Sequence, residues 1–183
     1  MIRLPNNVGW IFPLLLLSTL ISSGCMSKRT IQANGLKFVK IGDIMPDDSM
    51  KRLGGKSLRD TVFDQSGYSW RAKVLDYKDG KVYVEEDFWG QNQVNRIRIE
   101  SQVLRAKSGI SVGMTMGDLK QISTKWEALF LVDYDLLDLI LPHQPSIHYL
   151  VKESKTLDRS SSEAPIVIEE IPSESLVVAI VVM

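Results

Sequence analysis

The final stretch, Leu176-Val-Val-Ala-Ile-Val-Val-Met183, has no polar side chain and is mostly β-branched. A strand with one face in water alternates apolar and polar residues, so a run that is apolar at every position needs cover on both faces. This run is therefore read as a central strand inside a layered fold. Left open it would be a template for aggregation.

Other strands follow from alternation and turn chemistry. Tyr68–Tyr77 and Lys81–Glu85 flank Asp79-Gly80, and Asp-Gly between β-rich runs is a hairpin signal. In this hairpin Tyr68, Trp70, Val74 and Tyr77 are expected to face a core, together with Val82 and Val84. Val94, Ile97 and Ile99 mark a third strand, with Arg96, Arg98 and Glu100 turned to water. Further strands are expected at 128–134, 147–151 and 166–168. Lys152–Pro165, nearly without large apolar side chains, reads as a mobile loop.

Two short patterns recur in the same order. A strand-like run, a glycine and a polar turn occur at Leu36–Asp48 around Gly42 and again at Gly109–Lys120 around Gly113. Each is followed by Val-x-x-Ile-x-Ile/Val, first at Val94–Ile99 and then at Val177–Val182. A glycine after β-branched residues, with Thr or Asp as a cap, fits a chain passing from strand to helix. The expected fold is α+β, antiparallel sheets with a few short helices, arranged as two tandem similar lobes.

At the other end Met1-Ile-Arg3 precedes an uncharged run from Val8 to Ile21, and then Ser22-Ser23-Gly24-Cys25. A charged start, an apolar stretch and a small-residue site have the layout of a secretory signal. As a helix this run rises about 21 Å, short of the roughly 30 Å hydrocarbon core, and Pro13 interrupts it, which disfavours a transmembrane anchor. The string Leu20-Ile-Ser-Ser-Gly-Cys25 resembles the lipobox of bacterial lipoproteins. That resemblance implies cleavage after residue 24, a lipid on the Cys25 sulfur and stable attachment through two or more acyl chains. Met26 in place of Asp implies outer-membrane sorting, with the protein facing the periplasm. An unpaired thiol outside the cytoplasm is an oxidation liability, which lipidation removes. The expected organisation is signal peptide 1–24, lipidated Cys25 and tether 25–35, first lobe 36–107 and second lobe 108–183.

Composition narrows the function classes. The 183 residues carry 22 Lys plus Arg against 22 Asp plus Glu, so no nucleic-acid partner is expected. One cysteine excludes a disulfide framework and any multi-cysteine metal site. Asp133, Asp135 and Asp138 lie near His143 and His148, a set suited to a divalent metal or an acid–base hydrolase. The same string reads better as a strand end and turn, with acids in water and Leu136, Leu137, Leu139 and Ile140 inside. Glu85-Glu86-Asp87 reads as a solvated strand end, since adjacent acids on a strand point to opposite faces. Phe88 and Trp89 beside it form a candidate interaction patch. There is no Gly-x-Ser-x-Gly elbow, and Gly54-Gly-Lys-Ser57 has Met50 where a phosphate loop needs its leading glycine. No catalytic residue, metal or cofactor is assigned.

The lipobox, the Gly109–Ile122 element and the Val-x-x-Ile-x-Val ending together resemble uncharacterised bacterial envelope lipoproteins. Val112-Gly-Met-Thr-x-x-Asp-Leu119 is also similar to the Gly-Met-Thr turn of SmpA/OmlA-type outer-membrane-assembly lipoproteins and of β-lactamase-inhibitor-protein-like repeats. Those are small α+β modules that bind proteins and catalyse nothing. The expectation is thus a membrane-anchored, non-enzymatic binding or assembly module with an envelope protein as partner. The alternatives are a hydrolase built on the Asp133–His148 region, and a carrier of a small apolar ligand lined by Trp70, Phe88 and Trp89.

Overall fold

A computed structural model describes residues 29–47, 58–65, 67–77, 79–87, 89–154 and 166–183. The expected signal peptide 1–24, Cys25, Phe88, Gly54–Ser57 and most of the Lys152–Pro165 segment lie outside the described residues. No helix among the described residues is long and apolar enough to cross a membrane.

The chain forms short strands β1 (Thr30–Ile31), β2 (Gly35–Leu36) and β3 (Val39–Lys40), then β4 (Leu58–Gln65), β5 (Tyr68–Tyr77), β6 (Gly80–Glu86) and β7 (Val94–Ile99). After β8 (Arg105–Ala106) comes the helix α1 (Met116–Ile122), followed by β9 (Glu127–Leu131), β10 (Leu136–Ile140), β11 (Ile147–Lys152) and β12 (Leu176–Val182). Eight of these strands make one antiparallel sheet in the order β4-β5-β6-β7-β12-β11-β10-β9. The all-apolar run is its central strand β12, but only one of its faces packs in the core, with Val177, Ile180 and Val182, while Val178, Ala179 and Val181 line the open side of the sheet. The fold is thus mostly antiparallel sheet with one short helix.

One face of the sheet holds the core. Leu75, Val82, Val84, Ile97, Ile99, Ile180, Val182, Tyr149, Leu137 and Leu139 lie under a layer made by Ile31, Leu36, Val39, Leu104, Ile110 and α1. The helix starts where expected. The Thr115 hydroxyl accepts from the Asp118 backbone N–H, and the Asp118 carboxylate accepts from the Thr115 backbone N–H, a reciprocal cap that leaves Met116 and Leu119 to bury. At the β5–β6 turn the Asp-Gly signal holds for an additional reason. A Cβ on Gly80 would stand 2.3 Å from the Glu100 carbonyl oxygen, so only glycine lets these strands approach.

The two halves expected as lobes share one sheet and one core. Each contributes a four-stranded meander, β4–β7 and β9–β12, and the final strands of the two meet in the middle. There Ile97 pairs with Val182, Arg98 with Val181 and Ile99 with Ile180. The matched glycines behave alike. Gly42 (φ 85°) donates its N–H to the Val94 carbonyl at 2.8 Å, and Gly113 (φ 87°) donates to the Val177 carbonyl at 2.8 Å. Val94 N–H donates back to Asp43 at 2.8 Å, and Val177 N–H to Met114 at 2.9 Å. The Met45-to-Asn92 and Met116-to-Ser175 hydrogen bonds repeat the correspondence once more.

Several expectations need correction. Residues 29–35, read as the end of a tether, are folded: β1 pairs in parallel with β8, and Ile31 is wholly buried. One isoleucine in a polar run is enough to anchor it. Leu136–Ile140 is a strand, not a turn, and the preceding strand stops at Leu131, where Val132–Tyr134 make a 3-10 turn. Ile168–Glu170 is a 3-10 turn where a strand was expected. Trp70 and Val74 lie opposite Phe63 and Tyr83, on the face away from the core, while Leu75 and Tyr77 pack toward the core. Edge strand β4 carries no clear pattern, because Arg59, Asp60 and Asp64 interrupt its apolar residues.

Candidate functional site

Among the described residues no helix or layer of core residues covers the second face of the sheet, and the groups with chemistry gather there. Alternation places Phe63 of β4, Trp70 of β5, Tyr83 and Glu85 of β6, and Arg96 and Arg98 of β7 on this face. A flat sheet would hold β4 and β9 about 34 Å apart. Instead Phe63, Asp64 and Trp70 line one cavity of about 310 Å³ together with Asp133 and Tyr134, from the turn after β9. The sheet therefore curls, and its open face is a trough.

The centre of this cavity is a buried carboxylate. Glu85 is 1% exposed, and one of its oxygens accepts from Trp70 Nε1 at 2.9 Å and from Arg96 Nε at 2.9 Å. Among the described residues its other oxygen has no hydrogen-bond donor, and it lies 3.8 Å from Arg98 Nε. A carboxylate tolerates burial only when paired, and the register supplies the pair by setting Arg96 directly across from Glu85. Both arginines lie over rings. Arg96 is 5.5 Å from the centre of Trp70, and Arg98 is 5.1 Å from Phe63 and 4.3 Å from Tyr83. Phe63 in turn stands 5.8 Å from Trp70 and 5.7 Å from Tyr83. Arginine and large aromatics held rigidly in a concavity are what dominate binding energy at protein interfaces.

Glu85 and Glu86, expected to be solvated, are both buried, each on a different partner. Glu86 takes a bidentate pair from Arg71, 2.6 Å to Nε and 2.5 Å to Nη2, and accepts the Asn92 backbone N–H at 2.8 Å. The Arg71 guanidinium holds the Glu86 carboxyl below its ordinary range, against the opposing effect of burial. Regular alternation does not hold at this step, because the β6–β7 register shifts between Glu85 and Glu86 and both acids line one cavity with Trp70 and Arg96; what the sequence pattern lacks is the register that brings an arginine to each.

A larger cavity of about 490 Å³ occupies the second half of the trough, between β7 and β10. Its walls are mostly aliphatic, and Asp138 and His148 sit in its floor. They are diagonal neighbours on β10 and β11, and His148 Nδ1 donates to Asp138 Oδ2 at 2.8 Å. Asp138 is 7% exposed, not on the wet side as expected. Of the five acid and imidazole groups only these two come together. Asp133 and Asp135 are exposed on the β9–β10 connection, and His143 is exposed in the turn after Leu141. Among the described residues no three His, Cys, Asp or Glu side chains group to hold a metal. Trp89 is 79% exposed. Of the three aromatic side chains expected around an apolar ligand, Trp70 lines the smaller cavity and Trp89 neither of the two.

No family model matches the chain, and no curated protein does. Among solved structures it resembles the uncharacterized protein yfeY from Escherichia coli, with a TM-score of 0.58 and 14% identity over 84% of this chain and 98% of that one. At that identity the likeness is one of fold, shared with an uncharacterised bacterial protein.

Proposed function

We propose that the chain is a lipid-anchored lipoprotein of the bacterial envelope whose curled sheet binds another envelope protein and catalyses nothing. The observation that carries this reading is the arginine–aromatic cluster of Phe63, Trp70, Tyr83, Arg96 and Arg98 in the trough. Its side chains are already ordered by stacking and by Glu85, so a partner meets them with little entropy left to lose. The lipobox-like Leu20–Cys25 supports the anchor, and Met26 supports the outer membrane facing the periplasm. The repeated hydrogen bonds of Gly42 and Gly113 with Val94 and Val177 support a duplicated unit, in keeping with the likeness to β-lactamase-inhibitor-protein-like repeats.

Two measurements test it. Mass spectrometry of the protein from membranes should find Cys25 as an acylated first residue. A photo-crosslinking residue at Leu129 or Tyr134, on the trough side, should form a discrete adduct with an envelope protein, while one at Lys37 should not. A free amino terminus would remove the anchor; adducts equal at all three positions, or none, would remove the binding face.

A further inference from the structure

We infer that the outer side of the core layer, around Arg29, Arg105 and Lys107, docks on the anionic lipid headgroups of the membrane that holds the chain. This rests on the reading of Cys25 as a lipid anchor and names which way the fold faces on that anchor. In β8 and its flanks, buried Leu104 and Ala106 alternate with exposed Arg105 and Lys107. Both cations therefore point out of the layer that covers the core. Exposed Arg29 joins them, because its carbonyl accepts the Arg105 backbone N–H at 3.0 Å and β1 runs in register alongside β8.

The patch has one sign of charge. Arg59, Arg71, Lys73 and Arg96 each hold a carboxylate, but among the described residues Arg29, Arg105 and Lys107 have none. The segments that build it, 29–34 and 104–110, contain no Asp or Glu. Neither does the turn 141–146, which joins them through a hydrogen bond from Ser146 Oγ to the Ala33 carbonyl. The β2–β3 hairpin adds exposed Lys37 and Lys40, while Asp43 accepts the Lys40 backbone N–H. Asp118, Glu169 and Glu170 lie on α1 and on the 3-10 turn whose Glu169 carbonyl takes Lys120 Nζ. Chain length decides what the cations meet. Arg29 is four steps from Cys25, at most about 14 Å fully extended, and Lys28 adds a charge within that reach. The field of an anionic leaflet decays over about 8 Å at physiological salt, so a patch tethered this closely is drawn onto it. The trough lies on the opposite face of the sheet and so opens away from the bilayer, toward a protein partner.

The test uses full-length protein purified from membranes and reconstituted into vesicles of phosphatidylcholine with one-third phosphatidylglycerol and a nitroxide-headgroup lipid. A fluorophore is placed on Asn34→Cys, beside the patch, or on Leu129→Cys, on the trough side. Quenching should be at least twofold stronger at position 34, and this excess should vanish in pure phosphatidylcholine or molar salt. Each basic residue near an anionic surface shifts the docked-to-free ratio about fivefold, so Arg105→Gln with Lys107→Gln should shift it roughly thirtyfold toward free, with an unchanged melting temperature. Lys81→Gln with Lys152→Gln, the same charge change on the trough side, should leave quenching as it was. Equal quenching at both positions, indifference to phosphatidylglycerol, or equal effects of the two double variants would each overturn the inference. An acidic protein as the true occupant would show as a label at position 34 left unquenched. With Cys25 found acylated, any of these results sinks only this orientation; with Cys25 unacylated, the anchor and the orientation fall together.

Discussion

Replacing Glu85 with alanine puts the open-face cluster under direct test. The side chain is 1% exposed and accepts hydrogen bonds from Trp70 and Arg96, with Arg98 at 3.8 Å. Hydrogen bonds to a charged group contribute roughly 1.5–3 kcal/mol each, and removing one member of a buried ion pair costs about 3–5 kcal/mol. The Arg96 side chain is 35% exposed and can turn partly to water, so the lower end, about 3 kcal/mol, is expected. Arg98 has Glu100 at 3.7 Å as a second carboxylate and should be perturbed less. Urea unfolding followed by far-ultraviolet circular dichroism gives the difference directly. The double variant Glu85→Leu with Arg96→Leu removes both charges at once and should recover most of the loss, because a well-packed apolar pair often replaces a buried ion pair without penalty. A Glu85→Ala cost below about 1 kcal/mol would refute the reasoning, as would a double variant weaker than the single.

Three further outcomes follow from the fold. Glu86 has its folded pKa lowered by Arg71, so its contribution is present above the unfolded carboxylate range and is lost as pH falls through the folded value; Arg71→Met should raise the midpoint of acid unfolding, read by circular dichroism across pH 2–6. Ile31→Ala should cost about 2–5 kcal/mol in the same urea assay, since Ile31 is 0% exposed; a negligible cost would restore residues 29–35 to a tether. Gly42→Ala and Gly113→Ala, at φ 85° and 87° with no backbone atom near the added Cβ, should each destabilise by about 1–2 kcal/mol and by similar amounts, whereas unequal costs would argue against the structural equivalence of the two turns.

What the amino-acid order reveals is governed by range. Thr115 with Asp118, and Asp79 with Gly80, act within a few residues, so a cap and a turn are legible from local chemistry. The β12 run is legible as a central strand because every position in it is apolar. Strand β4 is not, since its charged residues break the apolar pattern even though its partner β5 follows directly, and the fate of Ile31 is not, since its cover comes from a strand far along the chain. The site follows the same rule. Arg96-Ile-Arg-Ile99 shows that two arginines share a face. That Glu85, Trp70, Tyr83 and Phe63 stand across from them depends on the register of four strands, which alternation leaves free by two residues at a time. Asp138 and His148 are close enough in sequence to be noticed, and the pairing of β10 with β11 selects those two from five.

The position of β12 governs assembly during translation. Among the described strands it is synthesised last, yet it joins β7 to β11. Until it emerges, the first half has its four strands and the second only three, and β7 and β11 are bare edges able to pair with another chain. The β7–β12 pairs join residues as far apart as Ile97 and Val182, and contacts of such long sequence separation close late and slowly. The nascent protein is thus most exposed to misassembly just before the seven-residue strand β12 becomes available, and a holdase on the β7 edge would act in that interval.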